Sequence, residues 1–133
     1  MVSKIAKIKV VAGVIFNQGK ILITKRPYNV HQGGKWEFPG GKVNLDEAEE
    51  QALKRELFEE LSVDVDVANL ILETNHFYEN LEVNLLFYEC TINSNKVTNL
   101  SVLQHKWITL PELLDYSFPP ANEKLISLLL ERF

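Results

Sequence analysis

The 133-residue sequence predicts an α/β layer fold built on a mixed central sheet. Strand-like segments dominate the chain, only two segments have the pattern of substantial helices, and no internal repeat or low-complexity stretch interrupts them.

The elements follow in order. Lys7 to Phe16 (KIKVVAGVIF) is rich in β-branched residues and reads as a strand; NQGK is a turn, and ILITKR is a second strand paired back as a hairpin. PYNVHQGGK, from Pro27 to Lys35, is a loop. WEFPGGK adds a short extended piece, because its proline and glycines break a helix. Asp46 is placed to cap a helix from about Glu47 to Leu61, with carboxylates near the positive end of the macrodipole. VDVDV alternates with period two, and NLILETNHFY and EVNLLFYECTI read as further strands around a tight turn at EN. KWITL is a last short strand. Pro111 starts a brief helix through Leu114, and Pro119 and Pro120 precede a final amphipathic helix ending near Phe133.

Composition narrows the function classes. A chain of this length is expected to be one domain over residues 1–133, and 46% hydrophobic residues with 24% charged is too apolar for a disordered chain. The net charge of -4 argues against polymeric nucleic acid, which binds a basic surface, while a small anion remains accessible with a metal's help. Cys90 is alone and has no internal disulfide partner. The N-terminus lacks a signal-peptide pattern, and LISLLL is far too short to span a bilayer. A cytoplasmic location without membrane contact is therefore the expectation.

The helix from Glu47 carries the strongest signal. At 100° per residue, Glu56, Glu59 and Glu60 share one arc with Glu49 and Ala52, beside an apolar stripe of Leu53, Leu57 and Leu61. Glutamates three and four apart repel by roughly 0.2–0.5 kcal/mol per pair unless a cation intervenes. A solvated acidic face is the plain reading. The alternative is a metal ion, since magnesium prefers carboxylate and carbonyl oxygens and shares those of a phosphate. Gly40 and Gly41 precede the helix and let the backbone approach a ligand, where a Gly40 carbonyl turned inward completes a metal shell; a plain turn is the other reading of the pair.

Taken together, Gly41, Glu47, Arg55, Glu56, Leu57, Glu59, Glu60 and Val63 resemble the Nudix box at its family spacing, with Ser62 where the family has glycine. That glycine eases the exit from the helix, so a local backbone cost is expected at Ser62. The resemblance implies an α/β/α sandwich and a hydrolase dependent on magnesium, with manganese as a substitute. It implies Glu56, Glu59 and Glu60 as metal ligands, one of them also orienting or deprotonating the attacking water. Arg55 and Glu47 correspond to a buried pair that holds the loop against the helix.

KWEFPGGK and FPPANEKL are similar to the MutT branch, which converts nucleoside triphosphates to monophosphates and pyrophosphate and is best known for removing 8-oxo-dGTP from the nucleotide pool. Asn122 then stands where that branch reads the oxidised guanine edge, an amide offering both donor and acceptor; capping the last helix is its alternative role. Arg26, His31, Phe38 and Tyr78 match positions around the nucleotide, and Lys42 is placed for phosphate. Each has a structural alternative, as solvated surface or core. Trp36 and Trp107 read as packing residues. Many members of the branch carry a further glutamate six residues before the tryptophan of the last strand; here that position is Ser101. The partner implied is a small-molecule nucleoside triphosphate, for a monomer or homodimer. A CTP or modified pyrimidine triphosphate hydrolase, and a noncatalytic nucleotide-binding module, are the competing functions.

Overall fold

A computed structural model describes residues 5–94 and 96–133. The strands are β1 (Ala6–Asn17), β2 (Lys20–Lys25), β3 (Trp36–Glu37), β4 (Gly40–Lys42), β5 (Val65–Tyr78), β6 (Leu81–Ile92) and β7 (Gln104–Ile108); the helices are α1 (Glu49–Leu61) and α2 (Glu123–Arg132). Short 3-10 turns cover Pro111–Asp115 and Pro120–Asn122. All seven strands join one mixed sheet, ordered β3-β2-β1-β6-β5, with β4 on β1 and β7 on β2.

β1 organises the sheet. Along one edge it runs parallel to β6 from Ala6 opposite Leu81 to Phe16 opposite Thr91. Its other edge is divided: Val10–Ala12 pair with β4, and only Phe16 and Asn17 pair with β2. The β1–β2 turn places Gln18 and Gly19 both at positive φ, as a two-residue hairpin loop requires.

Both faces of the sheet are covered, so its central strands are apolar on both sides. Val11 and Ile15 of β1, with Leu86 and Cys90 of β6, pack against Ala52, Leu53, Leu57 and Leu61 of α1. Ala12, Val14, Val83, Leu85 and Phe87 face the other way, toward Leu113, Leu125 and Leu129. The result is an α/β/α sandwich whose two cores are separated by the period-two alternation of the strands. Burial pushes the Cys90 thiol up to about 12, so it remains a packing group. Among the described residues, no helix is long and apolar enough to cross a membrane.

Two expectations are corrected. Asp46 does not cap α1: it adopts φ 65°, and the helix starts later, behind Ala48, whose N–H donates to Gln51 Oε1 at 3.3 Å. The cause is a tight turn at Asn44–Glu47, where the Glu47 carboxylate accepts from the Asn44 N–H at 3.0 Å and from Arg55. The Val65–Val67 part of VDVDV and NLILETNHFY form a single strand, β5, carried past irregularities between Val67 and Leu72 by pairing with β6. The last helix ends near Phe133 as expected, at Arg132. Ser62 leaves α1 in the left-handed region (φ 56°, ψ 38°), the conformation that favours glycine there.

Candidate functional site

The site forms where α1 crosses β4. Arg55 projects from α1 and binds across this junction: Nε donates to Glu47 Oε2 at 2.7 Å, and Nη2 to Glu47 Oε1 and the Lys42 carbonyl at 3.0 Å each. Its Nη1 reaches Glu56 Oε1 at 2.9 Å and Glu59 Oε2 at 3.2 Å. One guanidinium therefore ties loop, strand and helix together and neutralises part of the acidic arc. The Arg55 and Asn44 hydrogen bonds hold the Glu47 carboxyl down to about 2. The Arg55–Glu47 pair is only partly buried. Glu49 leaves the arc altogether, accepting from Tyr88 Oη at 2.7 Å and Lys9 Nζ at 3.0 Å.

The two glycines have different reasons to be there. A Cβ on Gly41 would collide with the Glu56 carboxylate, whereas one on Gly40 would collide with the Val11 carbonyl of β1. Gly41 thus admits an acid of the site; Gly40 allows β4 to lie close on β1.

Glu60 differs from its helix neighbours. Among the described residues it has no arginine partner, and it is half-buried in the wall of a cavity of about 930 Å³. Burial, with the charges of Glu37, Glu56 and Glu59, pushes its carboxyl up to about 8 against the opposing pull of Arg26. Such excess negative charge among hard oxygen donors fits a divalent cation. Among the described residues, however, no three acid, histidine or cysteine side chains are grouped to hold a cation, and Arg55 pairs with Glu56 and Glu59.

The remaining residues singled out in the sequence are distributed around that cavity. Gly40, Lys42, Arg26, Glu60, His31, Phe38, Tyr78 and Asn122 all line it. The His31 and Tyr78 rings meet edge to face at 5.1 Å, and His76 lies 4.6 Å from Tyr78. Phe38 stacks on Phe118 at 5.5 Å and belongs to the core as well as to the wall. Asn122 is 7% exposed; its side chain makes no capping bond to α2, and its Nδ2 donates to the Pro119 carbonyl at 3.5 Å. Arg55, Glu56 and Glu59 stand beside the cavity at the β4–α1 junction. Trp36 and Trp107 pack in the two cores. Ser101 lines the cavity, and its N–H donates to the Glu60 carbonyl at 3.3 Å.

Glu37 is the site residue that sequence reasoning missed. It lines the cavity and accepts Arg26 Nη1 on both oxygens, at 3.0 and 2.8 Å. A signal was available: Trp36 and Phe38 both enter the same core, so period-two alternation turns Glu37 to the opposite face.

Residues 11–128 match the NUDIX domain family. The 8-oxo-dGTP diphosphatase of Escherichia coli (strain K12) is 32% identical over 122 residues, spanning 91% of this chain and 95% of that protein. The CTP pyrophosphohydrolase of the same strain is 50% identical over 64 residues, 48% of this chain and 47% of that protein. Among solved structures, the E. coli ORF135 protein in solution superposes with a TM-score of 0.83 at 31% identity, covering 96% of this chain and 91% of that one. A family match over most of the chain, on a sandwich that seats the glutamate helix against a glycine strand, makes this protein a member of the NUDIX domain family and a Nudix hydrolase.

Proposed function

We propose that the chain, acting as one catalytic domain over residues 1–133, is a magnesium-dependent nucleoside triphosphate pyrophosphohydrolase that acts on 8-oxo-dGTP. The observation that carries this reading is a single cavity lined both by Glu60, beside the α1–β4 junction, and by the buried amide of Asn122. Likeness to an 8-oxo-dGTP diphosphatase along nearly the whole chain supports the choice of base.

Nudix hydrolases generally use a divalent metal. Glu56, Glu59, Glu60 and the Gly40 carbonyl would hold it here, with magnesium as the natural ion and manganese as a substitute. When bound, such an ion supplies charge neutralisation and a more acidic water. For the cation to be seated, Glu56 and Glu59 must share or release Arg55 Nη1, while Glu47 and the Lys42 carbonyl keep the rest of that guanidinium in place. Arg55 is thus a positioning residue. One carboxylate of the helix takes the proton of the attacking water as the water oxygen bonds to phosphorus, and the α–β anhydride bond breaks with its electron pair leaving on pyrophosphate. Lys42 and Arg26 face the phosphates, His31, Phe38 and Tyr78 line the nucleoside, and Asn122 offers its amide to the purine edge. The substrate is a small molecule in the cytoplasm, not a polymeric nucleic acid or a membrane, and the protein works as a monomer or homodimer.

A screen of ordinary and modified nucleoside triphosphates with magnesium tests the reading. Monophosphate and pyrophosphate from 8-oxo-dGTP are expected; mainly diphosphate and orthophosphate would overturn it. The second reading, a CTP or modified pyrimidine triphosphate as substrate, is favoured by the 50% identity to a CTP pyrophosphohydrolase over 64 residues. The same screen separates the two.

A further inference from the structure

Arg26 shares a cavity wall with Glu37 and Glu60 and pairs with Glu37. Its Nη1 donates to both oxygens of Glu37, and its Nε donates to the His31 carbonyl at 3.0 Å. Arg26, Glu37 and Glu60 all line one cavity, yet among the described residues no ion pair joins Arg26 to Glu60. The sheet explains the choice. β3 lies beside β2, with Glu37 opposite Thr24 and Trp36 opposite Lys25, so the chain leaving β2 passes directly by Glu37.

We propose that Glu37 is a positioning residue that keeps Arg26 off Glu60, leaving the Glu60 carboxylate open to a divalent cation. A half-buried guanidinium stripped of its partner seeks another carboxylate, because an unpaired charge at a low-dielectric wall is costly. Glu60 is within electrostatic reach of Arg26. An Arg26–Glu60 pair would place a fixed cation where the exchangeable one belongs. The Glu37 carboxylate removes that competitor without itself taking part in the reaction. This inference rests on the Nudix hydrolase reading above, and its test separates the two.

The test is a manganese titration of the full chain without substrate, reading the half-saturating Mn2+ concentration from the rise in melting temperature. In Glu37→Gln that concentration should rise by about tenfold, the effect of losing roughly 1.4 kcal/mol of binding. In Arg26→Leu/Glu37→Gln it should return to near the wild-type value, because the competing guanidinium is gone. Ordinary structural damage would predict the reverse, with the double variant no better than the single one. Unchanged manganese binding in a folded Glu37→Gln, or a double variant as weak as the single, overturns the proposal. Should Glu37→Gln give no melting transition, the double variant and Glu37→Asp are compared instead. Near-normal binding by both then supports the proposal, and weak binding by the double variant overturns it. A wild-type chain with no manganese response overturns the proposed metal-dependent function and this inference with it; a wild-type response shared by Glu37→Gln overturns this inference alone.

Discussion

The two faces of the sheet are built on different principles. On the α1 face, the chemistry is packed into one short stretch from Gly40 to Leu61, where a single arginine connects Glu47, Glu56, Glu59 and the Lys42 carbonyl. On the opposite face, side chains as far apart in sequence as Ala12 and Leu129 share one apolar core. The first arrangement is polar and partly solvated, so its ion pairs contribute little stability individually. Burial holds the sandwich together on both faces, on the α1 face through Leu53, Leu57 and Leu61 beneath the acids. The charged groups of the candidate site are thus encoded locally, whereas the cavity beside them is lined by residues from Ile8 to Asn122.

The largest break in this contrast should come from Glu56→Gln or Glu60→Gln. Losing a charge worth several kcal/mol at the cation should cut turnover about a thousandfold or more, at about 1.4 kcal/mol per tenfold, while the fold persists. For Glu60→Gln, relief of the crowding by Glu37, Glu56 and Glu59 should raise the melting temperature of the metal-free protein. Near-normal turnover in both variants at saturating metal would remove the acids from the reaction.

On the recognition side, Asn122→Ala should act on the choice between substrates. Leaving a base edge unpaired costs about 1–3 kcal/mol, roughly fivefold to a hundredfold in kcat/KM for the oxidised purine relative to its unmodified counterpart. The missing side-chain cap bond predicts little change in melting temperature. An unchanged substrate ratio would return Asn122 to a packing role.

A smaller effect tests the arginine clasp through pH. Glu47 is held at about 2, below its ordinary value of 4.5, first by its hydrogen bond from Arg55 and then by the Asn44 N–H. A depressed acid contributes stability that is fully present above its unfolded pKa and is lost as pH falls toward the folded one. The melting temperature of Glu47→Gln should therefore lie below that of wild type at neutral pH and converge with it as pH drops from about 4.5 to about 2. A constant gap across that window would show that charge is not what the clasp uses. The smallest effect lies at the end of α1, where Ser62→Gly should raise stability by about 1 kcal/mol by relieving a left-handed backbone. Thermal denaturation showing no gain would mean that Ser62 is not strained there.

The same contrast explains what could be read in advance. The acidic arc and the leucine stripe were legible because residues three and four apart must share a helix face, and Leu53, Leu57 and Leu61 are fully buried as that spacing requires. The start of α1 was not, since its first turn is displaced by Glu47 reaching forward to an arginine eight positions along. The unity of β5 was hidden by its irregular stretch, which only the pairing with β6 carries through. Glu37 escaped notice for a related reason. Its partner Arg26 lies across a loop, and no local spacing announces a contact that depends on two strands meeting.

The parallel ladder between β1 and β6 has a kinetic consequence. Ala6 cannot meet Leu81, nor Phe16 meet Thr91, until everything between them has been threaded into place. The pairing of Ile21 in β2 with Ile108 in β7 spans a longer interval still. Chains dominated by such distant pairings close large loops before gaining contacts, and fold on roughly millisecond-to-second timescales. During synthesis, the glutamate helix emerges well before the strands that complete the cavity. The nascent chain therefore carries its acids exposed before Ser101, Pro119 and Asn122, which close the cavity wall, have emerged.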